Sequence, residues 1–234
     1  MRHELKYILT PVQYHRLSPM LSALMERDEH ADENGEYFIR SIYFDDDRMK
    51  AFWDKLNGVD YRKKYRIRFY NNDLSYINLE CKIKRGGRIE KEAERIDEGI
   101  LRALLNGDNH NQNGGDTGEL SRKIFSNGLK PAVIVDYVRE AYTLPYDDIR
   151  ITFDKDIAYG QDFESINCPR IFSNIMGDNV VLEVKYNEFL PEHISSVISS
   201  VSPVQCAASK YVMCISRGIN DTVGSLDFVN STVA

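Results

Sequence analysis

Along most of the chain, apolar and polar side chains alternate with period two, the pattern of strands whose two faces meet different surroundings. Eight segments read this way: 4–9, 37–44, 64–70, 76–84, 90–95, 132–142, 150–156 and 180–186. Helical spacing is rarer. One helix is expected from Pro11 behind a Thr10 cap, with Pro19 a candidate break, and others over 46–56, 97–105, 119–126, 191–201 and 207–217. Many strands with peripheral helices predict an α+β fold, and eight strands suffice to close an antiparallel barrel tunnel that has no exposed edge. Residues 106–118 carry no apolar side chain and read as a surface loop inside one domain spanning 1–217. The Ser/Asn/Asp/Val-rich segment 218–234 reads as a loosely ordered tail.

Alternation also sorts the charges. Lys64, Arg66 and Arg68 share one face of their segment, opposite Tyr65, Ile67 and Phe69. Glu80, Lys82 and Lys84 share a face opposite Leu79, Cys81 and Ile83, while Glu4 with Lys6 and Glu183 with Lys185 repeat the mixture. Arg139 and Arg150 lie in two further strands. On a single strand such a face is ordinarily the solvated side of an antiparallel sheet. Repetition changes that reading, because like charges set side by side repel unless water or a bound polyanion offsets them. Turned inward, these faces would line a tunnel suited to phosphate chains, with Arg and Lys for the oxygens and carboxylates for a divalent metal.

Composition narrows the choice of partner. The 234 residues hold 30 Lys and Arg against 36 Asp and Glu, a net charge of -6. Between positions 61 and 95, however, eleven cations face five acids, so that stretch is +6 and the remainder -12. An acidic chain with one basic segment implies a local anion site rather than a basic surface, and specific nucleic-acid binding is not expected. Four widely spaced cysteines make no zinc site or disulfide framework, which fits a reducing, cytoplasmic setting. No run approaches the ~20 apolar residues that span a bilayer, and the first residues lack the apolar core of a secretory signal. Phosphate-loop, dinucleotide, zincin and nucleophile-elbow motifs are absent from the sequence. Lys84-Arg85-Gly86-Gly87-Arg88 reads as a hairpin turn between two strands. The five histidines are scattered and read as surface residues.

The ordered set of short stretches resembles the polyphosphate-polymerase domain of the vacuolar transporter chaperone (VTC) family, within the triphosphate tunnel metalloenzymes. The stretches are Arg2-His3-Glu4-Leu5-Lys6-Tyr7, Arg40-Ser41-Ile42-Tyr43-Phe44-Asp45, Lys64 to Tyr70, Leu79-Glu80-Cys81-Lys82 and Lys91-Glu92. Pro131 to Arg139, Arg150 to Asp154, Leu182-Glu183-Val184-Lys185-Tyr186 and Ser209-Lys210-Tyr211 complete it. The resemblance implies a tunnel that transfers the γ-phosphate of ATP to a growing polyphosphate chain. It implies a catalytic set of Lys6, Arg66, Arg68, Lys82, Glu183 and Lys210, with Arg40, Lys84, Lys91, Arg139, Arg150 and Lys185 as phosphate binders. Mn2+ or Mg2+ would rest on Glu183, helped by Glu80 and Glu4. Lys6 and Lys210 are placed by resemblance alone. Hydrolytic tunnel enzymes favour an ExExK motif whose first Glu is Arg2 here, a loss that suits the polymerase branch better. Hydrolysis of triphosphate or polyphosphate, and polyphosphate or inositol-phosphate sensing without catalysis, are the alternatives. Fungal relatives carry membrane spans that are not seen in this sequence, so a transport step through this polypeptide is not expected and a separate membrane protein is a candidate partner.

Overall fold

The computed structural model describes residues 3–86, 88–108, 118–144, 148–168 and 173–232. Each of the eight alternating segments folds as a strand. The elements run β1 (His3–Leu9), α1 (Pro11–Ser22), β2 (Glu26–Arg27), β3 (Glu36–Asp45), α2 (Lys50–Leu56), β4 (Arg62–Tyr70), β5 (Asp73–Arg85) and β6 (Arg88–Ile96). They continue with α3 (Glu98–Asn106), α4 (Glu119–Ser126), β7 (Lys130–Leu144), β8 (Ile149–Gly160), β9 (Ser173–Asn174), β10 (Val180–Tyr186), α5 (Glu192–Ser199), β11 (Val204–Gln205) and α6 (Lys210–Thr232). The two-residue strands β2, β9 and β11 are too short to carry a period.

Helix α1 continues through Pro19 instead of breaking there. Leu17 and Leu21 on either side of the proline are fully buried, and Thr10 with Gln13 closes a capping box at the helix start. Burial and capping together outweigh one lost helical hydrogen bond. Helix α6 extends to Thr232, across the segment expected to form a tail. Of the expected loop at 106–118, residues 109–117 lie outside the described residues. Arg85 pairs with Arg88, so β5 and β6 form the expected hairpin, with Gly86 at a φ of 57° that a side chain would strain and Gly87 outside the described residues. Among the described residues no helix is long and apolar enough to cross a membrane.

All long strands join one antiparallel sheet in the order β11-β1-β10-β8-β7-β3-β4-β5-β6, with β2 paired to β7 and β9 to β8. This path has two ends, so its hydrogen bonds make an open sheet and not the closed eight-stranded barrel expected from strand number. The physical reason lies at the edges. β11 offers only two residues, and β6 exposes Glu90, Lys91 and Glu92, charges that oppose edge pairing. The sheet still curls far round: Glu4 on β1 meets Lys82 on β5 at 3.0 Å, although five strands separate them along the path. Side chains, not backbone, bridge across the concave side.

The convex face is apolar and covered. Leu17, Leu21, Ile194 and Ile198 of α1 and α5 pack on Leu9, Ile151, Phe153, Leu182 and Val184. Leu101, Leu104, Leu120 and Ile124 of α3 and α4 pack on Tyr65, Ile67, Phe69 and Leu79. On the concave face α2 and α6 fill one region, where Phe52, Tyr211, Cys214 and Ile215 meet Tyr43, Val133, Val135 and Val181. Asp45 fastens these two helices. Its carboxylate accepts the Ala51 and Phe52 amides at 2.9 and 3.1 Å and also the Tyr211 hydroxyl. The uncovered remainder of the concave face carries the charges.

Candidate functional site

Cross-strand register decides which charges share that face. Lys64 stands opposite Lys82, Arg66 opposite Glu80, Lys6 opposite Glu183, Glu4 and Arg150 opposite Lys185, and Arg139 opposite Asp154. Directly opposed residues project to the same side of a sheet, so one surface gathers cations from six strands.

Three ion clusters result. In the first, Lys6 bridges Glu4 at 2.9 Å and Glu183 at 3.2 Å, Lys185 also meets Glu183, and Lys82 meets Glu4. In the second, Glu80 accepts from Arg66 Nη2 at 2.6 Å and Lys91 at 2.5 Å, while Arg68 donates to the Ser41 and Tyr137 hydroxyls at 3.1 and 2.8 Å. In the third, Asp154 accepts two bonds from Arg139, at 2.6 and 2.9 Å, and one from Lys210 at the start of α6. Arg150 pairs with Asp28 at 2.5 Å and donates to the Tyr37 hydroxyl at 2.9 Å.

The face opens at both ends. A cavity of about 330 Å3 is lined by Lys6, Lys55, Arg62, Lys64, Lys82 and Lys84, with Glu4 the one carboxylate among its lining residues. Another of about 750 Å3 lies toward Arg139 and Arg150, among Tyr37, Tyr70, Tyr76 and Asn78. On β4 and β5 the two cavities sit at opposite ends of the strands, with Arg66, Arg68 and Glu80 between them.

Electrostatics differ along this line. Burial strips water from Lys64, and Lys6, Lys82 and Lys55 repel its charge, which pushes its ammonium down to about 7. Burial lowers Lys185 to about 8, with Arg139 adding to the effect and Glu183 opposing it. The carboxylates move the other way from what burial alone would do. Lys6 and Lys82 hold Glu4 at about 2, Arg66, Arg68 and Lys91 hold Glu80 at about 2, and Arg139 with Lys210 holds Asp154 at about 2. The acids therefore stay ionised at neutral pH, and the face retains crowded cations that a multiply charged anion would relieve.

Of the residues singled out from sequence, Lys6, Arg66, Arg68, Lys82, Glu183, Lys210, Lys84, Lys91, Arg139, Arg150, Lys185, Glu80 and Glu4 all reach this face. Arg40 does not. It is fully buried on the opposite face beside Phe69, where Asp136 takes its Nε and Nη2 at 2.9 and 2.7 Å and the Ile166 and Cys168 carbonyls take Nη1. Its neighbours Phe38 and Ile42 alternate with Ser41, so period two assigns Arg40 to the apolar side and the resemblance misassigned it. Asp154, Lys55, Tyr43, Tyr137 and Asp28 join the site without having been singled out. Asp154 was legible, since it lies in phase with Thr152 and Arg150 on one strand face, whereas Lys55 comes from a helix whose position no local pattern reveals.

Residues 1–217 match the VTC domain. The chain belongs to the VTC domain family. No curated protein matches it. Among solved structures this VTC domain is similar to a proposed adenylate cyclase of Bacillus halodurans, at 13% identity over 88% of this chain and 92% of that one, with a TM-score of 0.53. It is also similar to a proposed adenylate cyclase of Vibrio parahaemolyticus, at 11% identity over 91% and 96% of the two chains, with a TM-score of 0.53. At these identities the likeness is one of fold. For the VTC domain it means that the fold is shared.

Proposed function

We propose that this VTC domain is a polyphosphate polymerase that extends a phosphate chain with the γ-phosphoryl group of ATP. The observation that carries the reading is the line of cations running between two cavities at opposite ends of one concave face. A growing linear polymer needs such a through-path, whereas hydrolysis of a short triphosphate needs one opening.

In this reading Arg66 and Arg68 hold the reacting phosphates, with Lys6, Lys82 and Lys91 along one side and Arg139, Lys185 and Lys210 along the other. A terminal oxygen of the chain attacks the γ-phosphorus in line. The bond from γ-phosphorus to the bridging oxygen breaks, ADP leaves with the electron pair, and the chain gains one phosphate. Such transfer needs positioning and charge neutralisation rather than a Ser, Cys or His nucleophile. As phosphate oxygens arrive they replace the carboxylates as partners of Arg66, Arg139 and Lys210, so the ion clusters keep the site ordered until substrate takes over.

The donor chemistry also bears on a metal. Glu4 and Glu183 meet at Lys6, and Mg2+ or Mn2+ commonly takes one or two protein carboxylates with phosphate oxygens completing its shell. Among the described residues no three His, Cys, Asp or Glu side chains gather, and Glu80 stands apart with Arg66 and Lys91. The residues thus fit a cation that accompanies the phosphates, held by Glu183 and Glu4. When bound it would supply charge neutralisation on the phosphoryl oxygens. The domain would act in the cytoplasm, with a separate membrane protein as a candidate recipient of product.

The absence of a three-carboxylate group among the described residues favours one second reading, a domain that binds phosphate chains without making them. Incubation with ATP and Mn2+, followed by electrophoresis with polyphosphate staining, separates the two. The polymerase reading expects a ladder from the wild type and none from Glu183→Gln. ADP and free phosphate without a ladder would mean hydrolysis, and absence of turnover with tight polyphosphate binding by both proteins would mean a binder.

A further inference from the structure

Helix α2 buries Phe52 against the concave core and turns its neighbours outward. Trp53 and Leu56, three residues apart and so on one helical face, are 52% and 51% exposed. Val59 and Tyr61, in the connection to β4, add 39% and 52%. Four large apolar side chains exposed within nine residues make a concentrated patch, whereas the other exposed apolar side chains among the described residues are more scattered along the chain.

The rim of this patch is cationic. The Lys63 ammonium and the Arg85 guanidinium lie 5.9 and 6.0 Å from the Tyr61 ring centroid. Lys55 and Arg62 border it and also line the lysine-rich cavity. Acids also lie close: Asp45, Asp46 and Asp54 line a cavity with Tyr61, Arg62 and Lys63. All are engaged, Asp54 with Lys50 at 2.7 Å, Asp46 with the Arg48 and Lys50 amides, Asp45 with the Ala51 and Phe52 amides and the Tyr211 hydroxyl, and Asp60 with the Gly86 amide at 2.8 and 3.0 Å. Tryptophan, tyrosine and leucine ringed by Lys and Arg are the composition of a surface that sits in a lipid interface, the apolar groups inserted and the cations at anionic headgroups. The chain as a whole is acidic, so this face alone would meet a negative membrane favourably.

We infer that the α2 patch of Trp53, Leu56, Val59 and Tyr61 docks this protein peripherally on an anionic lipid surface, with the lysine-rich cavity at the contact. The inference does not depend on turnover of ATP. Docking by insertion makes the apolar residues essential and the cations supportive. It also orients the molecule, since one end of the charged face then opens beside the membrane and the Arg139 end opens away from it.

Trp53 is the only tryptophan in the chain, so its fluorescence reports on the patch directly. Vesicles of phosphatidylcholine with phosphatidylserine should shift its emission to the blue and co-sediment the protein, and raised salt should weaken both effects. Vesicles of phosphatidylcholine alone should do neither. Leu56→Asp should cut binding by about tenfold or more, the factor carried by one inserted leucine, while tripolyphosphate binding in solution stays unchanged. Four results would overturn the inference: no shift with anionic vesicles, an equal shift with neutral ones, loss of vesicle binding when tripolyphosphate fills the charged face, or a shift that follows protein concentration without lipid. The last would mark the patch as a contact between two copies.

Discussion

The two ends of the concave face solve opposite electrostatic problems. Toward Arg139, each guanidinium has a carboxylate: Asp154 for Arg139 and Asp28 for Arg150. Toward Lys64, six cations line the cavity with only Glu4 among them, and Lys64 rests near a tyrosine ring and the Ser209 hydroxyl instead of an acid. The first end is neutralised by the protein itself and adds rigidity. The second leaves neutralisation to a ligand, at a cost in stability that the ligand can return.

Mutation of the paired end should have the largest effect. Asp154→Asn leaves Arg139 and Lys210 buried with their shared partner's charge gone, and should destabilise the fold by about 3–5 kcal/mol in denaturant titration. Lys64→Met at the other end should instead stabilise the ligand-free protein. A stability change of the same sign and similar size in both variants would erase the distinction between the ends. Between them, Arg66→Ala with Arg68→Ala should weaken tripolyphosphate binding by about 100-fold in calorimetry, since two charge-assisted hydrogen-bonding groups are lost.

Titration sharpens the contrast further. Lys64 has a folded-state pKa of about 7 against 10.5 for its ordinary value, so between those pH values the unfolded chain carries a proton that the folded one lacks. Stability of the ligand-free protein should therefore rise with pH through that window, and the rise should be smaller in Lys64→Met. Affinity for tripolyphosphate should move the other way and fall as pH passes 7. The smallest effect belongs to Lys84→Ala. Lys84 lies at the half-exposed rim, and its removal should weaken binding by only about threefold.

Much of the site could be read from alternation within strands. Period two put Arg66, Lys82 and Glu183 on common faces because a strand's side chains have only two directions to take. It could not say that β1 and β5 would face one another, since register between distant strands depends on how far the sheet curls. It had no bearing on Lys210, which lies on a helix, and there the resemblance to known tunnel domains was needed. The same resemblance failed at Arg40, which the fold buries on the opposite, apolar face beside Phe69. Barrel closure was overestimated because strand number says nothing of edges, and the charged β6 edge blocks the last pairing.

The central claim is that the lysine-rich end is the one left for an anion to neutralise. Calorimetric titration of tripolyphosphate at pH 8, repeated in buffers of different ionisation enthalpy, tests it most directly. Lys64 is largely uncharged there, so binding should draw a proton from the buffer in the wild type and less in Lys64→Met. Identical proton uptake by both proteins, or binding that is unaffected by Lys64 at any pH, would contradict the account.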